Sequence, residues 1–447
     1  MKNLIIIIAL FLTSVSSYGT DFYVAPNGKD TSTGTKDNPL ETVKRAQELA
    51  SAGDTVYIRG GIYTMRENQI ASYQRAYAYV TELDKNGINY FAFPNETPVF
   101  DYKNIKPANY RIVAFLVKGD KIHIKGIEVI GVQVTITTHT QSECFEVLGN
   151  NNTLEQIKMH DGMAIGVYML SGSNNLILNC DAYNNWDSVS EGAKGGNTDG
   201  FGAHLKKGSV NTIFRGCRAW FNSDDGFDLI NNAEAVVIEN CWAFYNGYTS
   251  DFVSRGDGNG FKTGGYAKGR KPYDDVIANY SPIPKNTIRF CLAVGNKQAG
   301  FYANHHLEGN YWHNNTAYKN RVNYDMLNCL ALNPTDFGTD GPGWNHELVN
   351  NLGFAAKVAE LANIDKSRCI LKTNYFDSNN TAVTASDFVS LDETFLTAPR
   401  QADGSLPNIT FLKLAPSSKL INSGTDIGFP FKGKAPDLGC FEFDGKN

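Results

Sequence analysis

The run Gly216-Cys-Arg-Ala-Trp-Phe-Asn-Ser-Asp-Asp-Gly-Phe-Asp-Leu229 carries two signals that recur through the 447-residue chain. The first is Cys-x-Ala-x-x-Asn. It reads Cys-Asp-Ala182-Tyr-Asn-Asn185, Cys-Arg-Ala219-Trp-Phe-Asn222, Cys-Trp-Ala243-Phe-Tyr-Asn246 and Cys-Leu-Ala293-Val-Gly-Asn296, with Asn-Thr-Ala317-Tyr-Lys-Asn320 as a fifth copy. The alanines lie 37, 24, 50 and 24 residues apart, which fits a coil of 24 residues with insertions of about 13 and 26. Three residues before each cysteine stands a large apolar residue: Ile177, Phe214, Ile238 or Ile288. A coil this short excludes a propeller blade of about 40 to 45 residues, and the leucine spacing of leucine-rich repeats is missing. One turn of a parallel β-helix with three short strands fits. The expected fold is therefore an all-β solenoid, with those four apolar residues stacked inside. The asparagines stack at a bend, where each amide can bond both backbone and its neighbour one coil along.

The second signal is a Gly-Phe turn with charges at matching offsets: Asn-Thr-Asp199-Gly-Phe201, Ser-Asp224-Asp225-Gly-Phe227-Asp228 and Gly-Asn259-Gly-Phe261-Lys262. If each turn marks one point on successive coils, Asp199, Asp225 and Asn259 form one column and Asp228 and Lys262 the next. Parallel neighbours lie roughly 4.8 Å apart. Four carboxylates then converge within reach of one calcium ion, which takes about 6 to 8 oxygens at roughly 2.3 to 2.6 Å. A single Asp-Gly pair is an ordinary turn former, and a lone lysine at a turn is ordinarily solvated. Four aspartates in register on two coils, with Lys262 in the column of Asp228, are not. A hard cation beside a lysine suits β-elimination of a uronic acid polymer.

Composition narrows the setting. The formal net charge of -5, from 41 basic and 46 acidic residues, gives no overall field for nucleic acid or another polyanion. Lys2 and Asn3 lead into the apolar run Leu4 to Leu12 and then small residues to Gly19, the pattern of a cleaved signal peptide over residues 1–19. That run is too short for a bilayer span of about 20 residues, and no cysteine near the cleavage region supports a lipid anchor. A secreted or periplasmic protein with no membrane span is expected. Of eight cysteines, Cys180, Cys217, Cys241 and Cys291 share one repeat position and read as small buried apolar residues; Cys144, Cys329, Cys369 and Cys440 are left open.

Residues 20–447 read as one domain and one expected monomer. Residues 20–60 form a strand-helix-strand cap, with a helix over Glu41–Ala50 turning Leu40, Val43, Ala46 and Leu49 to the core. Residues 385–447 strap along the solenoid. The insertions near Asp187–Asn197 and Tyr248–Lys285 adjoin the acidic turns and would wall a cleft.

These residues resemble polysaccharide lyase family 9, the calcium-dependent pectate lyases built on a right-handed parallel β-helix. The likeness covers nearly the whole mature chain. It is most specific at Asp199-Gly-Phe-Gly, at Gly216–Leu229, and at Gly258-Asn-Gly-Phe-Lys-Thr-Gly-Gly265. It implies calcium ligands at Asp199, Asp224, Asp225 and Asp228, a catalytic base at Lys262, and an acidic pectic polysaccharide as partner. Lys207, Arg218, Arg255, Arg270 and His305 are candidate substrate contacts. Phe-Tyr-Ala-Asn-His-His after Gly300 and the basic character of Tyr248–Lys285 depart from the pectate-lyase pattern, so homogalacturonan and rhamnogalacturonan-I stand side by side as substrates. Asn-Thr-Asp-Gly followed by Asp-Asp is also similar to metal-independent polygalacturonases, whose Gly-His-Gly and Arg-x-Lys signatures are missing here. A non-catalytic glycan-binding β-helix gives Lys262 no reason to share a column with Asp228.

Overall fold

A computed structural model describes residues 19–138, 141–266, 273–330, 338–377 and 382–445. The expected signal peptide, up to residue 18, lies outside them. Among the described residues the strands form three long sheets of 12, 10 and 11 members, to which successive coils contribute in turn. Neighbours pair in parallel, apart from Ser72–Gln74 at one edge of the third sheet.

The repeat read from the sequence is the register of these sheets. In the first, Ile177 pairs with Phe214, Phe214 with Ile238, Ile238 with Ile288 and Ile288 with Trp312, all fully buried. In the second, Ala182, Ala219, Ala243, Ala293 and Ala317 align. In the third, Phe201, Phe227, Phe261, Phe301 and Tyr324 stack with ring centroids 4.9 to 5.0 Å apart, each aromatic pair contributing about 0.5 to 1.5 kcal/mol beyond its buried area. Cys180, Cys217, Cys241 and Cys291 are buried thiols in this core, and Cys144, Cys369 and Cys440 are thiols as well.

Between the second and third sheets runs the asparagine ladder. The amide of Asn185 donates to Asn222, Asn222 to Asn246, Asn246 to Asn296 and Asn296 to Asn320, over 2.9 to 3.1 Å. Each also donates to a backbone carbonyl, as Asn246 does to Ala219 at 3.0 Å. A further ladder, Asn315 to Asn351 to Asn374, carries the coils past the sequence repeat.

Two expectations are corrected. The capping helix, α1, runs over Val43–Leu49, with Thr42 as its N-cap accepting from the Arg45 amide. Leu49 is 37% exposed, and Gln47 is buried in its stead, because its amide bonds the Glu82 carbonyl and the Asp84 N–H where a neighbouring strand ends. The stretch Tyr248–Lys285 is two loops, since the strand Phe261–Lys262 divides it. The first leaves the bend after Asn246. The second carries a helix, α2, over Tyr273–Tyr280, at the next bend.

The C-terminal segment lies against the outside of the second sheet. Arg400 joins Arg218 on Asp181, the carbonyls of Leu396 and Ala398 accept from Arg218, and Cys440 N–H donates to Thr316. No helix among the described residues is long and apolar enough to cross a membrane. Asn246→Ala deletes a link that serves Asn222, Ala219 and Asn296 together; since each buried polar group left unpaired costs about 1 to 3 kcal/mol, chemical denaturation should show a loss of roughly 3 kcal/mol. A loss below about 0.5 kcal/mol, the range of ordinary surface changes, would show that the ladder is not structural.

Candidate active site

The Gly-Phe turns deliver their charges as two columns. Asp225 N–H donates to Asp199 Oδ1 at 3.0 Å, and Asn259 donates to Asp225 Oδ1 through its backbone at 2.6 Å and its side chain at 2.8 Å. Three residues further along each coil, Tyr168, Gly202, Asp228, Lys262 and Tyr302 are successive register partners across the third sheet. Lys262 Nζ lies 2.9 Å from Asp225 Oδ2 and 3.2 Å from Asp228 Oδ2, with its side chain 11% exposed. Asp199, Asp224, Asp228 and Lys262 line a groove of about 1000 Å³ that also takes in Tyr168, His204, Arg255 and Lys297.

Asp224 holds the walls. Its Oδ2 accepts the Asn197 N–H and its Oδ1 the Asp257 N–H, both at 2.7 Å, so one carboxylate ties an insertion on each side. Ser223 Oγ donates to Gly195 O, and Lys297 Nζ donates to the carbonyls of Arg255 and Gly256.

The donor set fits a hard cation. Asp199, Asp224 and Asp225 are buried, and each offers an oxygen within 4.8 Å of the others. Asp225 Oδ2 accepts no hydrogen bond; its near neighbour, the Lys262 ammonium, lies outside hydrogen-bonding geometry. Of the four expected ligands the structure brings three together, while Asp228 turns toward Lys262 and accepts the Ile230 N–H at 2.8 Å. Burial first, then the charges of Asp224, Asp228 and Asp225, raise the Asp199 carboxyl well above its ordinary value. Burial and Asp225 push Asp224 up to about 7. Burial alone would lower the Lys262 pKa, but Asp225, Asp228, Asp224 and Asp199 outweigh it and hold the ammonium protonated. A cation beside Lys262 would lower its pKa; the carboxylates alone drive the shift the other way.

A family model described as the Pel9A-like, right-handed β-helix region matches residues 22–345. The chain belongs to this family. Pectate lyase L of Dickeya dadantii (strain 3937) is 35% identical over 444 residues, spanning 96% of this chain and 92% of that protein. Pectate lyase PEL9 of Emericella nidulans is 29% identical over 95% of this chain and 98% of its own. Among solved structures, a rhamnogalacturonan lyase superposes with a TM-score of 0.84 at 43% identity, covering 89% of this chain and 97% of that one. The crystal structure of pectate lyase Pel9A gives 0.74 at 32% identity, covering 95% and 97%. The resemblance to polysaccharide lyase family 9 and the right-handed parallel β-helix are borne out.

Within this Pel9A-like chain the candidate substrate contacts part company. Arg255 lies on the groove wall. His305, one coil beyond Lys262, is engaged by Tyr302 OH at 3.0 Å and Asp340 at 2.6 Å and is not on the groove lining. Its neighbour His306 is buried, bonds the Pro284 carbonyl, and has its pKa lowered by burial to about 4. Lys207 pairs with Glu234 at 3.6 Å, away from the groove. Arg218 is a correction: it is buried and bound to Asp181 beneath the C-terminal segment, on the second sheet rather than the third. Arg270 lies outside the described residues.

Sequence reasoning missed Tyr168, His204, Asn197 and Lys297. Tyr168 was hidden because its coil reads Gly166-Val167-Tyr168, a Gly-Phe turn with valine in the phenylalanine slot. Lys297 directly follows the ladder residue Asn296, a position that could have marked it as a bend residue facing the groove.

Two outcomes follow from these placements. Arg218→Ala leaves Asp181 half-paired and buried, so a loss of about 3 kcal/mol in stability should accompany a near-normal KM; a raised KM in a fully folded variant would return Arg218 to the substrate. The raised Asp224 carboxyl binds its proton more tightly folded than unfolded, so ionising it costs stability. Chelator-treated protein should therefore fall in Tm as pH rises from about 4, the unfolded carboxyl value, through about 7. The fall should be smaller in Asp224→Asn and in saturating divalent cation; equal slopes in all three would refute the cluster's strain.

Proposed function

We propose that the protein is a secreted lyase that cleaves the galacturonate-containing backbone of pectin by β-elimination. Lys262 serves as the base, and Asp199, Asp224 and Asp225 hold a calcium ion bordered by Asp228. The observation that carries this reading is the placement of the Lys262 Nζ on the groove lining, 2.9 Å from Asp225, beside a cluster of three carboxylates of which Asp199 and Asp224 also line the groove. The apolar N-terminal run supports export.

The reaction needs little from the chain besides placement. Lys262 Nζ takes the proton from C5 of a galacturonate, the C4–O bond breaks, and its electron pair leaves with the sugar oxygen while a C4=C5 double bond forms. A bound calcium ion would neutralise the clustered carboxylates, lower the proton affinity of Lys262 and stabilise charge building on the substrate carboxylate. Asp225 and Asp228 fix the lysine's position through their contacts of 2.9 and 3.2 Å, and register pairing with Asp228 and Tyr302 fixes its backbone. Such placement is what converts a weak encounter into an effectively intramolecular proton transfer.

Between the two polymers, rhamnogalacturonan-I is favoured. The rhamnogalacturonan lyase structure shares 43% identity with this chain, against 32% for Pel9A. Digesting each purified backbone and sizing the products decides the matter, and cleavage of neither would remove the pectin assignment.

Lys262→Ala should lower kcat by about 10² to 10⁴, the usual range for a general base, with calcium and substrate binding kept. Lys262→Arg should fare almost as badly because a guanidinium stays protonated. Wild-type rate should rise with pH, since only the neutral amine accepts the C5 proton. Products should absorb in the ultraviolet, and chelation should abolish activity that calcium restores. Saturated products, or full turnover in chelator, would instead point to hydrolysis.

A further inference from the structure

The groove wall carries an arginine, Arg255, that no carboxylate among the described residues holds. Arg59, Arg215, Arg218, Arg289 and Arg400 each pair with a carboxylate. Arg255 makes no ion pair among the described residues. Its guanidinium stacks on the indole of Trp186, 4.0 Å from the ring centroid, and its Nε is removed from solvent without a hydrogen-bond acceptor.

The stack is built rather than incidental. Arg255 N–H donates to Gly247 O at 2.9 Å, its own carbonyl accepts from Lys297 Nζ at 2.7 Å, and the Asp257 N–H two residues on is held by Asp224. Trp186 directly follows the ladder residue Asn185, and its Nε1 donates to Ala193 O at 3.3 Å. Gly195 lies against the indole so closely that a Cβ there would come within 2.9 Å of it. A planar fork of N–H donors, fixed on an aromatic face and short of an acceptor, is matched to a carboxylate gripped by two parallel hydrogen bonds.

Its position excludes the reacting sugar. Trp186 belongs to the coil that continues into Asp199 and Gly202, and Gly202 lies two register steps from Lys262, or roughly 10 Å along the solenoid axis. Tyr168, Asp228 and Lys262 line the same groove from coils that span three register steps, so the groove runs along that axis. The guanidinium stacked on Trp186 therefore faces a neighbouring unit of the polymer rather than the sugar whose C5 faces Lys262.

We infer that Arg255, stacked on Trp186, is the binding site for the carboxylate of a second uronate, in the same polymer chain as the uronate attacked at Lys262. This rests on the lyase reading above. The enzyme therefore needs two uronates to bind well, although it reacts at one.

The test uses the full-length protein and whichever pectic backbone the wild type cleaves, alongside the same polymer with part of its carboxyl groups reduced to primary alcohols. Arg255→Ala should raise KM about tenfold or more, the loss of a charge-assisted hydrogen-bond pair, with kcat within about twofold. Arg255→Lys, which keeps the charge and loses the fork, should fall between. Carboxyl reduction should raise KM for the wild type and much less for Arg255→Ala. An unchanged KM, or equal sensitivity of both enzymes to carboxyl reduction, overturns the assignment and leaves Arg255 as a brace for the wall. If the wild type releases no unsaturated product, the lyase reading fails separately. The site is then read from calorimetric binding of trigalacturonate, which should weaken about tenfold in Arg255→Ala; equal binding overturns it.

Discussion

Successive coils close on one another at glycine. A Cβ on Gly200, Gly226 or Gly260 would meet the carbonyl oxygen of the next turn's glycine at 2.6 to 2.7 Å. The glycine of each Gly-Phe turn is thus a demand of close approach, met by a residue with no side chain. Because the coils close there, the phenylalanines that follow stack face to face, and whatever precedes or follows the pair falls into a column at the strand spacing. Asp199, Asp225 and Asn259 have no choice of neighbour, and neither have Asp228 and Lys262. The same contact that packs the core assembles the site.

That assembly is unfavourable taken alone. Several carboxylates with little water around them raise one another's proton affinity, and a solenoid whose coils could slip would separate them. Slippage is opposed on both sides of the site. The phenylalanine stack lies beneath it, and the asparagine ladder runs along the bend just before it, each amide satisfied twice over. A one-residue shift would break every rung together and turn each inward side chain outward. Rigidity of this kind holds like charges close together, and preorganisation of that sort is what electrostatic catalysis requires.

What the sequence disclosed follows from this periodicity. Residues answering to the coil-to-coil contact repeat in the text, so the inward columns, the ladder and the acidic turns could all be placed by alignment. Residues answering to something else could not. Arg218 occupies a repeat slot held elsewhere by Asp181, Trp242 and Leu292, and nothing local says that a segment some 180 residues later covers that slot. Leu49 has the helical spacing of a core residue, yet the helix ends there and Gln47 answers the needs of a distant strand end. Tyr168 belongs to the repeat but lies under a variant spelling of it.

The groove walls obey a different logic from its floor. Both wall segments leave the coil just after a ladder asparagine, Asn185 in one case and Asn246 in the other, where the chain's exit is already fixed by side-chain bonds. From Asn222 to Phe227 the bend takes 5 residues, whereas from Asn246 to Phe261 it takes 15, and the register of the strands on either side is the same. Closing a longer loop costs only slowly more entropy, so length can be added at this bend without disturbing the columns. The added chain is then recovered for the site by a few long-range bonds, chiefly those of Asp224 and Lys297. Asp224 therefore answers to both parts of the structure: its carboxylate stands with Asp199 on the floor, and its oxygens hold the walls that carry Arg255. A shift of that one side chain on the floor is felt at the walls, so two parts that are separable in the sequence are coupled in the fold.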